Sequence, residues 1–142
     1  MTRYDILLVD DEQDFREIMT KKLGKRELNC ESAADGLEAL EKVRAKGYDV
    51  VLLDVKMPGM DGIATLREIK KLAPLTEVVM LTGHASVESG INGIKFGAFD
   101  YLMKPIDMDP LMEKLDAAYE RKRIQQEKIE MAQVKRDMKL PS

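Results

Sequence analysis

The sequence predicts an α/β fold, a doubly wound parallel sheet with helices on both faces. Two patterns point there: five short apolar runs, each compact enough for a buried parallel strand, and helix-period segments that alternate with them from end to end. The third observation is length, since 142 residues fit one domain and can bury most of a core without disulfide staples. Five βα units of this kind form a sheet with right-handed crossovers.

The first strand is expected at Asp5–Val9, followed by a helix with Phe15, Ile18, Met19 and Leu23 on one face and Gly24 at its end. A second strand is expected at Leu28–Ser32. Asp35 with Glu38 three residues on reads as a capping-box variant opening a helix through Leu37, Leu40 and Val43, ending near Gly47. The third strand is expected at Asp49–Leu53. Asp61 before Gly62 reads as a cap or turn for a helix carrying Ile63, Leu66, Ile69 and Leu72. The fourth strand is expected at Glu77–Leu81, and the fourth helix carries Val87, Ile91 and Ile94 and ends near Gly97. Its interior Gly90 and Gly93 each cost roughly 1 kcal/mol of helix propensity relative to Ala, so it is expected to be the least stable helix. A fifth strand at Asp100–Met103 precedes a helix with Leu111 and Leu115, where Asp109 before Pro110 places proline at the first helical position.

Composition narrows the function classes. The net charge of -3 is uneven: residues 1–118 hold 16 Lys and Arg against 22 Asp and Glu, while residues 119–142 hold 7 against 4. Direct nucleic-acid binding is not expected, because there is no helix-turn-helix pattern, zinc spacing or basic stripe interleaved with aromatics. Apolar runs such as Ile6 to Val9 and Val50 to Leu53 fall far short of the roughly 20 residues of a membrane helix. Arg3, Tyr4 and Asp5 interrupt any signal-peptide pattern, and the single Cys30 forms no internal bridge, so the expected compartment is the cytoplasm. Cys30 and the ten Met residues read as core filling. His84, the one histidine, has no partners at metal-ligand spacing.

In doubly wound sheets ligands bind beyond the carboxyl ends of the strands. Asp10, Asp11 and Glu12 follow the first strand, Asp54 the third, Thr82 the fourth, and Lys104 and Pro105 the fifth. Singly, each has a plainer reading: Asp10 and Asp11 as helix caps, Thr82 as a loop hydroxyl bonding its own backbone, Lys104 as a solvated charge. Together with Met57, Pro58, Gly59, Met60, Asp61 and Gly62, they resemble the receiver domain of bacterial two-component response regulators, over about residues 3–118. The joint pattern is specific where no single element is.

The resemblance implies a flavodoxin-like strand order 2-1-3-4-5, the order the doubly wound class shows for other receivers. Given that order, strands ~4.8 Å apart put Asp54 one step from the acidic pair and one from Thr82, with Lys104 two steps off, about 10 Å at the backbone. Three carboxylates in one cleft repel one another unless compensated. Mg²⁺, a hard cation that takes oxygen ligands and keeps several waters, would do so, and Mn²⁺ is also compatible. By resemblance, Asp11, Asp54 and the backbone carbonyl of Lys56 would be direct ligands, with Asp10 acting largely through water. Asp54 would be the phosphoacceptor, attacking a phosphohistidine to form an aspartyl phosphate, while Lys104 stabilises charge on the transferring group.

The same resemblance assigns switch roles to Thr82, moving toward the phosphoryl group, and Tyr101, turning inward behind it. The fourth helix, fifth strand and fifth helix would then present an altered face, which is also a candidate surface for a homodimer. Lys56 and His84 would tune the lifetime of the phosphorylated state, and Lys104 to Pro105 would be a cis peptide. The implied partners are a sensor histidine kinase or a histidine phosphotransfer protein, and such a module is not an enzyme beyond its own phosphorylation and dephosphorylation. The segment from Leu81 through Pro105 is most similar to receivers of ATPase-type transcription activators or sensor kinases, and a free-standing regulator is equally compatible.

Residues 1–118 would be the receiver and residues 119–142 a helical extension or linker. If unbroken from Pro110, that last helix would have roughly thirty residues and span about 45 Å. Ile124, Met131, Val134 and Met138, with Ile129 offset, form a partial a/d stripe, compatible with a solvated extension, a homodimer seam or a lead into an output domain. Two other classes fit less well. An aspartyl phosphatase needs an Asp two residues after its nucleophile on the first strand, and Asp10 is followed there by Glu12. A flavin carrier is disfavoured by the acidic rim, the absent Trp and the lack of a phosphate-cradling loop.

Overall fold

The computed structural model describes residues 3–55, 61–83 and 87–139. Its strands are β1 (Asp5–Val9), β2 (Asn29–Ala33), β3 (Val50–Asp54), β4 (Glu77–Thr82) and β5 (Asp100–Met103). The helices are α1 (Gln13–Lys25), α2 (Gly36–Ala45), α3 (Gly62–Leu72), α4 (Val87–Lys95) and α5 (Met108–Met138). The sheet order is β2-β1-β3-β4-β5 and every pairing is parallel, which is the flavodoxin-like doubly wound arrangement. No helix among the described residues is long and apolar enough to cross a membrane.

Strand alternation divides the core. Leu7, Val9, Val51, Leu53, Val78 and Met80 face one side, packing with Leu40 of α2 and with Leu66 and Ile69 of α3. Ile6, Leu8, Val50, Leu52, Val79 and Leu81 face the other, against Met19 and Leu23 of α1 and Leu111 and Leu115 of α5. Because both faces are covered, the central strands read as continuous apolar runs.

Several boundaries differ from expectation. β3 and β4 each run to one residue beyond the expected end, since Asp54 pairs with Leu81 and the Val55 N–H donates to the Leu81 carbonyl at 2.9 Å. Both rim residues, Asp54 and Thr82, therefore sit on strand backbone. β2 is shifted to Asn29–Ala33, in register with β1 from Asp5 onward. α5 begins at Met108 with Asp107 as its N-cap, so Pro110 is the third helical residue and not the first. It is tolerated there because first-turn N–H groups have no intrahelical acceptor. Asp35 caps α2 as expected, accepting from the Glu38 N–H at 2.8 Å, but the Glu38 carboxylate reaches the Ala34 N–H, one residue before the cap.

Glycine placement corrects one reading. α1 passes through Gly24 and closes with the Glu27 N–H on the Gly24 carbonyl and the Leu28 N–H on the Leu23 carbonyl, at 3.0 and 3.1 Å. This is a Schellman closure whose left-handed residue is Glu27, with φ of 67°, and not a glycine. α4 closes with the same pair of bonds around Gly97, with φ of 111°, where glycine was expected. Within α4, Gly93 has a packing reason: a Cβ there would lie 3.0 Å from the Met80 Cγ, so glycine lets the helix lie close on β4.

α5 is an unbroken helix of 31 residues, about 46 Å long. Leu111, Met112, Leu115 and Ala118 are buried against the sheet. The next turns are tied to the amino ends of the strands. Tyr119 stacks on Tyr4 with ring centroids 4.5 Å apart, Lys122 pairs with Asp49 at 2.7 Å, and Arg121 with the buried Glu77 at 3.0 Å. From Ile124 onward the large apolar side chains of the helix are exposed. Cys30 is partly buried against α1, and burial pushes its thiol up to about 11, consistent with packing and not reactivity.

A left-handed backbone costs a residue with a Cβ roughly 1 kcal/mol or more, and glycine is spared that cost. Glu27→Gly is therefore expected to stabilise the fold by about 0.5–1 kcal/mol, read as a higher urea midpoint at unchanged slope.

Candidate functional site

The carboxyl ends of β1, β3, β4 and β5 form one rim. Val9 pairs with Leu53, so Asp10 and Asp54 follow side by side, and Thr82 pairs with Met103, immediately before Lys104. The Lys104 N–H donates to the Thr82 carbonyl at 2.7 Å, and the Lys104–Pro105 peptide is cis. The alternation that divides the core also sorts the rim. Asp10, Asp54 and Lys104 continue the face of Leu8, Leu52 and Leu102, toward α1 and α5. Thr82 continues the face of Met80, where Tyr101 sits opposite Met80.

Asp10 is fully buried and its carboxylate has two engagements. Oδ1 accepts the Glu12 N–H at 2.9 Å, and Oδ2 accepts from the Lys104 ammonium at 2.7 Å. Its carbonyl accepts from the Arg16 guanidinium at 2.7 Å. The N-cap of α1 is Glu12, so the plainer reading of Asp10 and Asp11 as caps is set aside. Carboxylate oxygens of Asp10, Asp11 and Glu12 lie within 4.8 Å of one another. Asp54, 7 % exposed, has its Oδ2 3.6 Å from the Lys104 Nζ.

Lys104 thus reaches past the separation expected for it and lies closer to Asp10 than to Asp54. Asp10 is the more deeply buried of the two carboxylates, and a buried carboxylate attracts an ammonium more strongly. Burial works against the ammonium charge, but the Asp10 hydrogen bond and the fields of Asp54, Asp10 and Glu12 outweigh it and hold the group above its ordinary pKa. Lys104 is therefore charged throughout the neutral range.

Thr82 is fully buried, and among the described residues its Oγ1 has no hydrogen-bond partner. Such a hydroxyl is costly unless something accepts from it or donates to it. Tyr101 is half-buried against the same face. Lys56 and His84, and Met57 to Met60 of the motif, lie outside the described residues.

The acidic cluster is an all-oxygen donor set, the kind a hard divalent cation takes, so the residues present fit Mg²⁺ or Mn²⁺. Asp10, Asp11 and Glu12, with Asp54 adjacent, would hold it. Glu12 was on the rim in the sequence but was not assigned a role, and Arg16 and Phe15 were missed. Only the first turn of α1, folded back over the β1 end, brings them there.

Asp61 caps α3, accepting from the Ala64 N–H at 2.7 Å, and Gly62 after it is tightly enclosed. The Gly62 N–H bonds the Val55 carbonyl at 3.1 Å, and a Cβ on Gly62 would lie 2.7 Å from the Val55 Cα and 2.9 Å from the Asp54 carbonyl oxygen. Glycine is what allows α3 to start against the backbone that carries Asp54.

This is the architecture of an acidic-rimmed site on a flavodoxin-like sheet, and comparison with known proteins gives its family. The model of the response regulator receiver domain matches residues 6–116, and the chain belongs to that family. It is similar to the transcriptional regulatory protein ZraR of Salmonella typhimurium, at 45% identity over 82% of this chain and 26% of that protein. It is also similar to the DNA-binding transcriptional regulator NtrC of Escherichia coli, at 36% over 83% and 25%. Among solved structures, NtrX from Brucella abortus superposes with a TM-score of 0.86 at 34% identity, over 92% of this chain and 30% of that one. The chain spans about a quarter of the length of these curated relatives.

Gly62→Ala is expected to destabilise the fold by about 1–3 kcal/mol, because the atoms its Cβ meets are backbone. The check is urea unfolding together with the amide spectrum, in which Val55 should be displaced most strongly.

Proposed function

We propose that this chain accepts a phosphoryl group on Asp54 from the phosphohistidine of a sensor histidine kinase or a histidine phosphotransfer protein. What carries the reading is the combination at one rim: a nearly buried Asp54 carboxylate 3.6 Å from a lysine ammonium, beside an oxygen cluster suited to a divalent cation. An Asp54 oxygen forms the new O–P bond as the P–N bond breaks, and the electron pair leaves on the donor's ring nitrogen, whose partner nitrogen carries a proton so that a neutral imidazole departs. A carboxylate attacks as an anion and has no proton to give up, so the step needs no general base. Lys104, held by Asp10, is placed to meet charge on the phosphoryl oxygens, and Thr82 offers a buried hydroxyl on the opposite face. Mg²⁺ would be held by Asp11, Asp54 and the Lys56 carbonyl, with Asp10 acting largely through water and Glu12 beside them, and would supply further positive charge there. The protein catalyses only its own phosphorylation and dephosphorylation, and Lys56 and His84 tune the lifetime of the product.

Phosphorylation adds about -1.5 to -2 of charge at the rim. Thr82 and Tyr101 lie on the α4 side of the sheet, which supports a readout in which they shift together and alter the face of α4, β5 and α5. Residues 1–118 act as the receiver, in the cytoplasm, and residues 119–142 as the extension. Beside Lys104 lies a groove of about 450 Å³ bordered by Phe15, Ile18, Met19, Pro105 and Ile106, and this apolar surface next to the carboxylates supports docking of the phosphodonor protein there.

The extension is a seam for a second copy. In a heptad frame with Ile124, Met131 and Met138 at a and Val134 at d, position e holds Arg121, Lys128 and Lys135, and the last two g positions hold Glu130 and Asp137. An antiparallel pair would set the basic e positions against one another, whereas a parallel pair sets Glu130 of one copy against Lys135 of the other.

With Mg²⁺ and acetyl phosphate, intact mass should show one added phosphoryl group on the wild type and none on Asp54→Ala. Equal modification of both, or none on the wild type, refutes the assignment. Sedimentation of the chain with and without residues 119–142 should show a concentration-dependent dimer only with the extension, and an unchanged monomer rules the seam out.

A further inference from the structure

We propose that Phe15 is a positioning residue for this phosphoryl transfer: its ring seats the Lys104 ammonium beside Asp10 and Asp54. The inference rests on the receiver reading above and assigns a role to a residue outside the acidic motif. The Lys104 Nζ lies 4.3 Å from the centroid of the Phe15 ring, well within cation–π range. Its anionic neighbours are Asp10 at 2.7 Å, Asp54 at 3.6 Å and Glu12 at 3.9 Å, and the ring supplies an uncharged contact besides them.

Lysine carries its charge on a long stem with four rotatable bonds, so its position depends on what surrounds the ammonium. Carboxylates alone are an incomplete anchor at this rim, because the oxygens that attract the ammonium are the ones a divalent cation takes. The negative face of an aromatic ring attracts the ammonium without consuming a carboxylate oxygen. It therefore holds Lys104 within reach of Asp54 whatever else those oxygens engage.

Phe15 is suited to this by its place in the chain. It sits in the first turn of α1, directly after the acidic cluster, and is only partly buried against the core. The same ring borders the groove beside Lys104 with Ile18, Met19, Pro105 and Ile106. Core packing at that site asks only for apolar volume, which leucine also provides. Attraction for an ammonium asks for a π face, which leucine lacks and tyrosine keeps.

The test compares wild type, Phe15→Leu and Phe15→Tyr, each first shown to be folded by its amide spectrum. One readout is the proton shift of the Lys104 ε-methylene, assigned through its loss in Lys104→Met and recorded with and without Mg²⁺. It should be displaced upfield by the ring in wild type and Phe15→Tyr, and return to an ordinary lysine position in Phe15→Leu. The other is phosphorylation by acetyl phosphate, resolved into a saturating rate and a half-saturating donor concentration. Phe15→Leu should lower the saturating rate about three- to tenfold with little change in the half-saturating concentration, and Phe15→Tyr should stay within about twofold of wild type. Wild-type kinetics in Phe15→Leu, equal slowing in both variants, or an undisplaced methylene in the wild type would each overturn the proposal. If the wild type takes up no phosphoryl group, the receiver reading fails, and the methylene shift still decides whether the ring seats the ammonium.

Discussion

Carboxylates gathered at the ends of parallel strands repel one another, and the rest of this protein is arranged around containing that repulsion. Asp10 is fully buried, Asp54 nearly so, and the Lys104 ammonium lies between them. A buried carboxylate stripped of its partner is strongly destabilising, so the pair ties the end of β1 to the end of β5, across β3 and β4. That tie makes the rim responsive. Any group that changes the charge on Asp54 or draws the oxygens of Asp10 changes what holds Lys104, and with it the relation between two strands that share no hydrogen bonds.

The opposite end of the sheet is held by a similar device. There Asp49 and Glu77, at the amino ends of β3 and β4, take Lys122 and Arg121 from α5. With the Tyr4–Tyr119 stack these contacts carry the helix beyond the core that Ala118 completes. β4 thus bears Thr82 at one end and an α5 contact at the other. The helix that leaves the domain is anchored to a strand that reaches the site.

Much of this was legible in the chain because it follows from local pattern. Short apolar runs marked the five strands, and period-3.6 apolar spacing marked the helices between them. Asp35 and Asp61 announced their caps, because a short acceptor side chain before an amphipathic run bonds first-turn N–H groups. The places where the sequence misled are those where a distant partner decided the outcome. Gly24 looked like a helix end, but the closure falls on Glu27, whose carbonyl is bonded by the Arg3 N–H, so the chain entering the neighbouring strand β1 holds the turn. The apolar runs stop one residue short of Asp54 and Thr82, and both prove to end strands, because register with the neighbouring strand extends the ladder.

The sequence by itself determined the class of fold, the residues that meet at the rim and the family they define, since strand number, strand ends and residue types are all written locally. It also determined that the carboxylates would need positive charge, which follows from their number alone. Only the tertiary structure decided how that charge is held. The reach of Lys104 to Asp10, the ring of Phe15 against its ammonium, the unpartnered hydroxyl of Thr82 among the described residues and the close approach of Gly62 to the backbone of Asp54 all depend on distances between segments far apart in the chain. Those distances arise from packing, and no spacing along one chain encodes them.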